Sequence, residues 1–251
     1  MIASLGMYDM PHLQGAHDRL WGGTRDALGY GPAQLTRGGD AWAEWLSPDL
    51  LLAQTCGLPY RARLHDRVAL VGTPDYDLPN CPRGHYFSYL IHRHDDTRDL
   101  QALVDQGVMA FNEPLSQSGW AAPVAHLAGQ NLRPKRLLQT GAHLASVSAV
   151  LDRSADYAGI DALTYLLWAQ QDMDTAAFLT AFDRTTPTPT LPYITGASRD
   201  AAALARAIST AIKALSDEDR LDLRLRGLIH IPNVDYLRLP LPPAPGEFGI
   251  T

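Results

Sequence analysis

Two cysteines, Cys56 and Cys81, are all that 251 residues contain. That allows one disulfide at most, rules out a disulfide framework and, without a CxxC spacing, leaves no redox or zinc signature. No stretch approaches the roughly 18 apolar residues of a membrane-spanning helix, so membrane insertion is not expected. No basic block occurs either: 21 Lys and Arg stand against 27 Asp and Glu, for a net charge of −6. A nucleic-acid surface needs clustered cations and is therefore not expected. Catalytic and cofactor signatures are missing as well, with no HExxH, P-loop, GxSxG or cluster of metal ligands. No catalytic residue, metal or cofactor is assigned. The opening residues Met1-Ile2-Ala3-Ser4-Leu5 lack the basic and apolar regions of an export signal and run into a strand pattern. On that reading the sequence carries no signal, and a cytoplasmic location stays open.

What is present is a globular composition, 46% hydrophobic and 19% charged, long enough for two compact lobes with real cores. Short apolar runs alternate with helix-period stretches, the pattern of βα units in an α/β fold with mixed, mainly parallel sheets. Strands are expected at Ile2–Leu5, Leu50–Gln54, Val68–Val71, Tyr86–Ile91, Val108–Phe111 and Tyr157–Ile160. Gly72-Thr73-Pro74 is expected to stop the third of these. Helices are expected at Pro11–Leu28, weakened by Gly22-Gly23, at Trp120–Leu127 and at Ala142–Leu151. Leu204, Ile208, Ile212 and Leu215 mark a further amphipathic helix, and Ser216 caps the one after it. The run His92-Arg93-His94-Asp95-Asp96 reads as a solvated strand end. Two turn-rich or proline-alternating passages, near residues 80–86 and 185–190, imply a discontinuous first lobe (1–84 and 187–251) enclosing a continuous second one (85–186). Ligands of open α/β sheets sit beyond strand carboxyl ends, so a cleft between the lobes is the expected site.

The sharpest local feature is Asn112-Glu113-Pro114-Leu115-Ser116-Gln117-Ser118-Gly119-Trp120, which follows a strand and opens a helix. Ser116 or Ser118 can cap, and Gly119 lets an anion approach the first backbone N–H groups closely. An ordinary capped helix has the same pattern. Thr140-Gly141-Ala142-His143 is a second such turn: Thr140 is the expected cap, and His143 is placed to donate to an anion as a cation held by it. Tyr8 and Asp9 follow the first strand, and Thr55 and Cys56 follow the Leu50 strand. Asp9, Glu113 and Asp161 supply carboxylates that can pair with a ligand ammonium or simply cap helices. Tyr86 and Ser88, at alternating positions near the first crossing, are further candidates.

Met7-Tyr8-Asp9, Gln54 to Gly57, Asn112 to Gly119, Thr140 to His143, Ile160-Asp161-Ala162 and Leu191-Pro192-Tyr193-Ile194 occur in that order. Together they resemble the phosphate, phosphite and phosphonate substrate-binding proteins of ABC transporters, over nearly the whole chain. The resemblance implies a two-lobed type II periplasmic-binding-protein fold, a small anionic ligand, an ABC permease as partner and a periplasmic location. It also implies that Ser116, Gln117 and Ser118 grip the anion, that Tyr8 and His143 add donors, and that Asp161 faces the ligand from the other side of the cleft. Cys56 departs from the pattern, standing where a phosphonate binder has a hydroxyl residue. The alternatives are a cytoplasmic enzyme on the same fold, like those of menaquinone biosynthesis, with Asp9, Glu113 or His143 as acid or base, and a ligand sensor.

Overall fold

The computed structural model describes residues 1–248. In chain order the elements are β1 (Ile2–Ser4), α1 (Gln14–Leu28), β2 (Leu50–Gln54), β3 (Val68–Tyr76), β4 (His85–Tyr86), β5 (Ser88–Arg93), α2 (Leu100–Gln106) and β6 (Val108–Phe111). Then come α3 (Ala122–Gly129), β7 (Arg136–Gln139), α4 (His143–Leu151), β8 (Tyr157–Asp161), α5 (Ala162–Gln171) and β9 (Leu179–Arg184). The remaining main elements are β10 (Thr188–Pro189), β11 (Tyr193–Gly196), α6 (Ala201–Ala214) and β12 (Leu225–Ile229), with shorter helices that include Asp217–Asp222, capped by Ser216, and Asn233–Leu237. The chain divides into one unit of Met1–His85 and Pro189–Leu239, and a second of Tyr86–Thr188 with the tail from Pro240. The tail thus falls in the second unit, not in the first lobe as the sequence suggested. There the Pro243 carbonyl takes the Trp120 indole N–H at 3.0 Å.

The first unit carries the sheet β1-β2-β11-β3-β12. β1 and β2 are parallel, whereas β11 runs antiparallel to both β2 and β3. β3 continues through Gly72-Thr73-Pro74, contrary to the expected stop. The reason is an exchange of partners: β11 pairs with Val68–Gly72 and β12 with Thr73–Tyr76. A side chain at Gly72 would collide with Leu228 of β12, within 2.9 Å, so the glycine makes that junction possible. α1 also runs unbroken through Gly22-Gly23. A Cβ on Gly23 would sit 3.3 Å from that of Ala211 on α6, so the helix propensity lost there is offset by close helix packing. Leu204, Ile208, Ile212 and Leu215 are buried as their spacing demands.

The second unit carries the sheet β7-β6-β8-β5-β9. β6 is parallel to β7 and β8, and β5 is antiparallel to β8 and β9. Both sheets are therefore mixed. In each, the antiparallel strand set among parallel ones (β11 or β5) is the one that follows a passage from the other unit. The two-residue period sorts the core of this sheet onto two faces. Leu90, Met109 and Tyr157 pack with Leu103, Val104 and Leu127, while their neighbours Ile91, Ala110 and Ala158 pack with Val147 and Val150. His92 and Arg93, expected to be solvated, are buried. Arg93 Nη1 donates to the carbonyls of Val150 at 2.9 Å and Ala155 at 3.1 Å, which meets that end of the guanidinium inside the fold, while its buried Nε has no hydrogen-bond partner among the described residues.

Two buried tyrosines differ in how their hydroxyls are met. Tyr236 donates to the Thr190 carbonyl at 2.8 Å and lies 2.7 Å from Thr73 Oγ1, whereas the buried Tyr157 hydroxyl has no partner. Tyr236→Phe should therefore cost about 1–2 kcal/mol in urea unfolding, and Tyr157→Phe should be neutral or stabilising. Equal losses would contradict the assignment.

Candidate functional site

The turn after β6 begins at Ser116, whose extended backbone (φ −90°, ψ 128°) places its hydroxyl to accept the Gly119 N–H at 2.9 Å. Ser116 is thus the cap, and the Gly119 N–H is used within the turn instead of being kept for an anion. Gln117–Ala121 then forms a wide π-type turn: the Ala121 N–H reaches the Ser116 carbonyl and the Ala122 N–H the Gln117 carbonyl. The turn runs directly into α3, with Pro123 in its first turn. The N–H groups of Gln117 and Ser118 precede the first of these bonds, at the positive end of the helical run.

The second turn, at Thr140 to His143, packs onto the first. The Thr140 N–H donates to the Phe111 carbonyl and the Gly141 N–H to the Asn112 carbonyl, both at 2.9 Å. Ser118 Oγ then meets His143 Nε2 at 2.9 Å. Gly119 is essential to this approach, because a Cβ there would lie 1.9 Å from Asn112 Oδ1 and 3.2 Å from His143 Cε1. Thr140 does not cap α4 with its side chain. Its hydroxyl lies 2.7 Å from Ser146 Oγ and within reach of the Phe111 and Ala142 carbonyls, bracing the turn from behind.

His143 retains some surface, but its Nδ1 is shut off from water. Burial drives its pKa down to about 4, against a weaker opposing pull from the Gly159 backbone. That shift favours a neutral imidazole in the free protein, whereas the sequence expectation was of a cation held by a bound anion. Asp161 is buried at the end of β8 and caps α5, accepting the Thr164 N–H at 2.9 Å. Tyr86 and Gln117 are buried, and Glu113 is exposed. Asn112, Ser146 and Gly159, which build the node, were not among the expected site residues. Asn112 and Gly159 act through backbone and close packing, and Ser146 through a hydroxyl that meets Thr140 only once the turn has folded.

In the first unit, Tyr8 is buried edge-on against Tyr76, with ring centroids 5.3 Å apart. Both Asp9 oxygens are engaged: Oδ1 lies 3.0 Å from His17 Nδ1, and Oδ2 takes the Arg37 Nε at 2.5 Å. Burial alone would raise the Asp9 pKa, but these hydrogen bonds and charges hold it below the ordinary carboxylate range. Its charge is met inside the fold, so an ammonium ligand has little left to claim. Thr55 is buried and its N–H donates to the Pro192 carbonyl at 3.1 Å. Cys56 precedes the short helix at Gly57 without capping it, and the two cysteines are not joined. Among the described residues there is no group of side chains suited to a metal ion.

Residues 52–231 match the family model described as the periplasmic substrate-binding protein of a phosphonate ABC transporter. The chain belongs to this family. The family serves transport and is not enzymatic, which sets the enzyme reading aside. It is periplasmic and works with ABC transporters. No helix among the described residues is long and apolar enough to cross a membrane. Among similar solved structures, PhnD1 from Prochlorococcus marinus in complex with methylphosphonate has a TM-score of 0.72 at 14% identity, covering 94% of each chain. The binding-protein component of a phosphonate transporter from Pseudomonas aeruginosa gives 0.70 at 14%, covering 94% of this chain and 82% of that one. XAC2383 from Xanthomonas citri, bound to ATP, gives 0.65 at 14%, covering 95% and 94%. At such identities these structures establish the type II periplasmic-binding-protein fold. No curated protein sequence matches the chain.

The depressed His143 pKa has a definite sign. Above about pH 6.5 both folded and unfolded chains hold it neutral. As the pH falls toward 4, only the unfolded chain gains the proton, so stability is lost across that window. Unfolding free energies measured from pH 7 to 4 should fall more steeply for the wild type than for His143→Gln. Parallel curves would show that His143 is not held neutral.

Proposed function

We propose that this chain captures a small tetrahedral oxyanion, a phosphonate or phosphate, on the turn at Ser116–Gly119, and presents it to the permease of an ABC transporter. The observation that carries this is the 2.9 Å hydrogen bond between Ser118 Oγ and His143 Nε2. It places a hydroxyl and an imidazole together at the head of a helical run whose first N–H groups favour negative charge. Such donors match the oxygens of a phosphonate or phosphate. A neutral imidazole adds an N–H without demanding a buried cation before the anion arrives, and a bound anion then favours its protonation. Thr140 and Ser146 hold the second turn in place. Membership of the phosphonate-binding family and a fold shared with methylphosphonate-bound PhnD1 support the same ligand class.

Thermal shift and calorimetry with methylphosphonate, phosphate and small carboxylates test this directly. A ligand at 100 times its Kd should add about 2.7 kcal/mol of stability. Ser118→Ala should weaken its binding about tenfold or more, as expected for loss of a hydrogen bond to a charged group, worth roughly 1.5–3 kcal/mol. If no oxyanion binds, or if Ser118→Ala binds like the wild type, the reading fails.

A further inference from the structure

The π-type register of the Ser116 turn leaves one carbonyl without its intrahelical partner. Ser116 and Gln117 accept from the N–H groups five residues on, at Ala121 and Ala122. Ser118 should accept from residue 123 in the same way. That residue is proline, which has no N–H to give. The Ala122 N–H is already committed to Gln117. The Ser118 carbonyl is instead met by Ser88, whose hydroxyl donates to it at 2.7 Å from the first position of β5.

Ser88 is itself held on every side. It is 1% exposed. Its N–H donates to Thr185 Oγ1 and its carbonyl accepts the Thr185 N–H, both at 2.9 Å. It also stands opposite Asp161 in the β5–β8 register. Next to it, the Phe87 carbonyl takes the N–H of Ala162, the first residue of α5. Gly159, also on β8, lets the turn lie this close, since a Cβ there would sit 2.3 Å from the Pro123 ring and 3.4 Å from the Ser118 carbonyl. Ser88 and Thr185 lie where the chain enters and leaves the second unit.

We propose that Ser88 is a positioning residue for oxyanion binding: its hydroxyl supplies the hydrogen bond that Pro123 withholds and fixes the Ser118 turn to the entering and leaving strands. Ser88 does not contact the anion in this account. It sets where the Ser118 hydroxyl and the first N–H groups of the turn point. This rests on the oxyanion reading of the same turn. Ser88→Ala removes only the donor, and Thr185→Val keeps the Ser88 hydroxyl but loosens the strand that carries it.

Calorimetry with methylphosphonate and with phosphate, well below the melting temperature, tests the role in the full chain. Either variant is expected to bind the preferred anion about fivefold more weakly or worse, and Thr185→Val serves if Ser88→Ala does not fold. Simple destabilisation would lower the fitted stoichiometry and the melting temperature while leaving the Kd of the folded fraction unchanged, and that result overturns the positioning role. So does binding within fivefold of a wild type that does bind, which leaves the oxyanion grip standing. A wild type that binds neither anion overturns both.

Discussion

The contact between Ser118 and His143 links two helix starts 25 residues apart in sequence, and the organisation of the second unit follows from it. For the hydroxyl and the ring to meet, Asn112 must lie against residue 119, and only glycine leaves that space. The ring must also stay neutral, because a buried imidazolium without a carboxylate partner is costly. Burial supplies that condition by pushing the His143 pKa down. On the proposed reading the site needs no basic cluster, which reconciles a net charge of −6 with membership of a phosphonate-binding family.

The sheet order explains why these turns share one place. β6 and β7 are adjacent and parallel, so the turns that follow them emerge at the same edge, and Asp161 closes the next strand over. Parallel neighbours with helical crossovers gather their carboxyl-end loops in this way. β5, entering antiparallel on the far side of β8, brings its first residue to that same edge. Ser88 is therefore within reach of the Ser118 carbonyl. In the first unit, the corresponding strand-end residues Tyr8, Asp9 and Thr55 are drawn into internal contacts with Tyr76, Arg37 and Pro192.

Much of this was legible from residue order. The apolar runs at Leu50, Val108 and Tyr157 form strands, the spacing from Leu204 to Leu215 forms a helix, and Ser216 caps the next one. Other elements left no trace. β7 is four residues at a sheet edge, two leucines between Arg136 and Gln139, too short for a period to show, and β12 is interrupted by Gly227. β3 was cut short at Gly72 because a change of strand partner is a tertiary event that local turn chemistry does not reveal. At the site, hydroxyl and glycine positions flagged the turns, but the division of labour did not follow from sequence. Ser116 caps while Ser118 reaches His143, and the Thr140 hydroxyl points back to Ser146. Those choices depend on how the two turns pack against each other, a tertiary contact that residue order does not reveal.

The central claim is that the joined turns hold one oxyanion. A crystal structure grown with methylphosphonate is the most direct test. The account requires phosphonate oxygens within about 3 Å of Ser118 Oγ, His143 Nε2 and the first N–H groups of the turn. An anion bound elsewhere, with the Ser118–His143 contact unchanged and the turn empty, would contradict it.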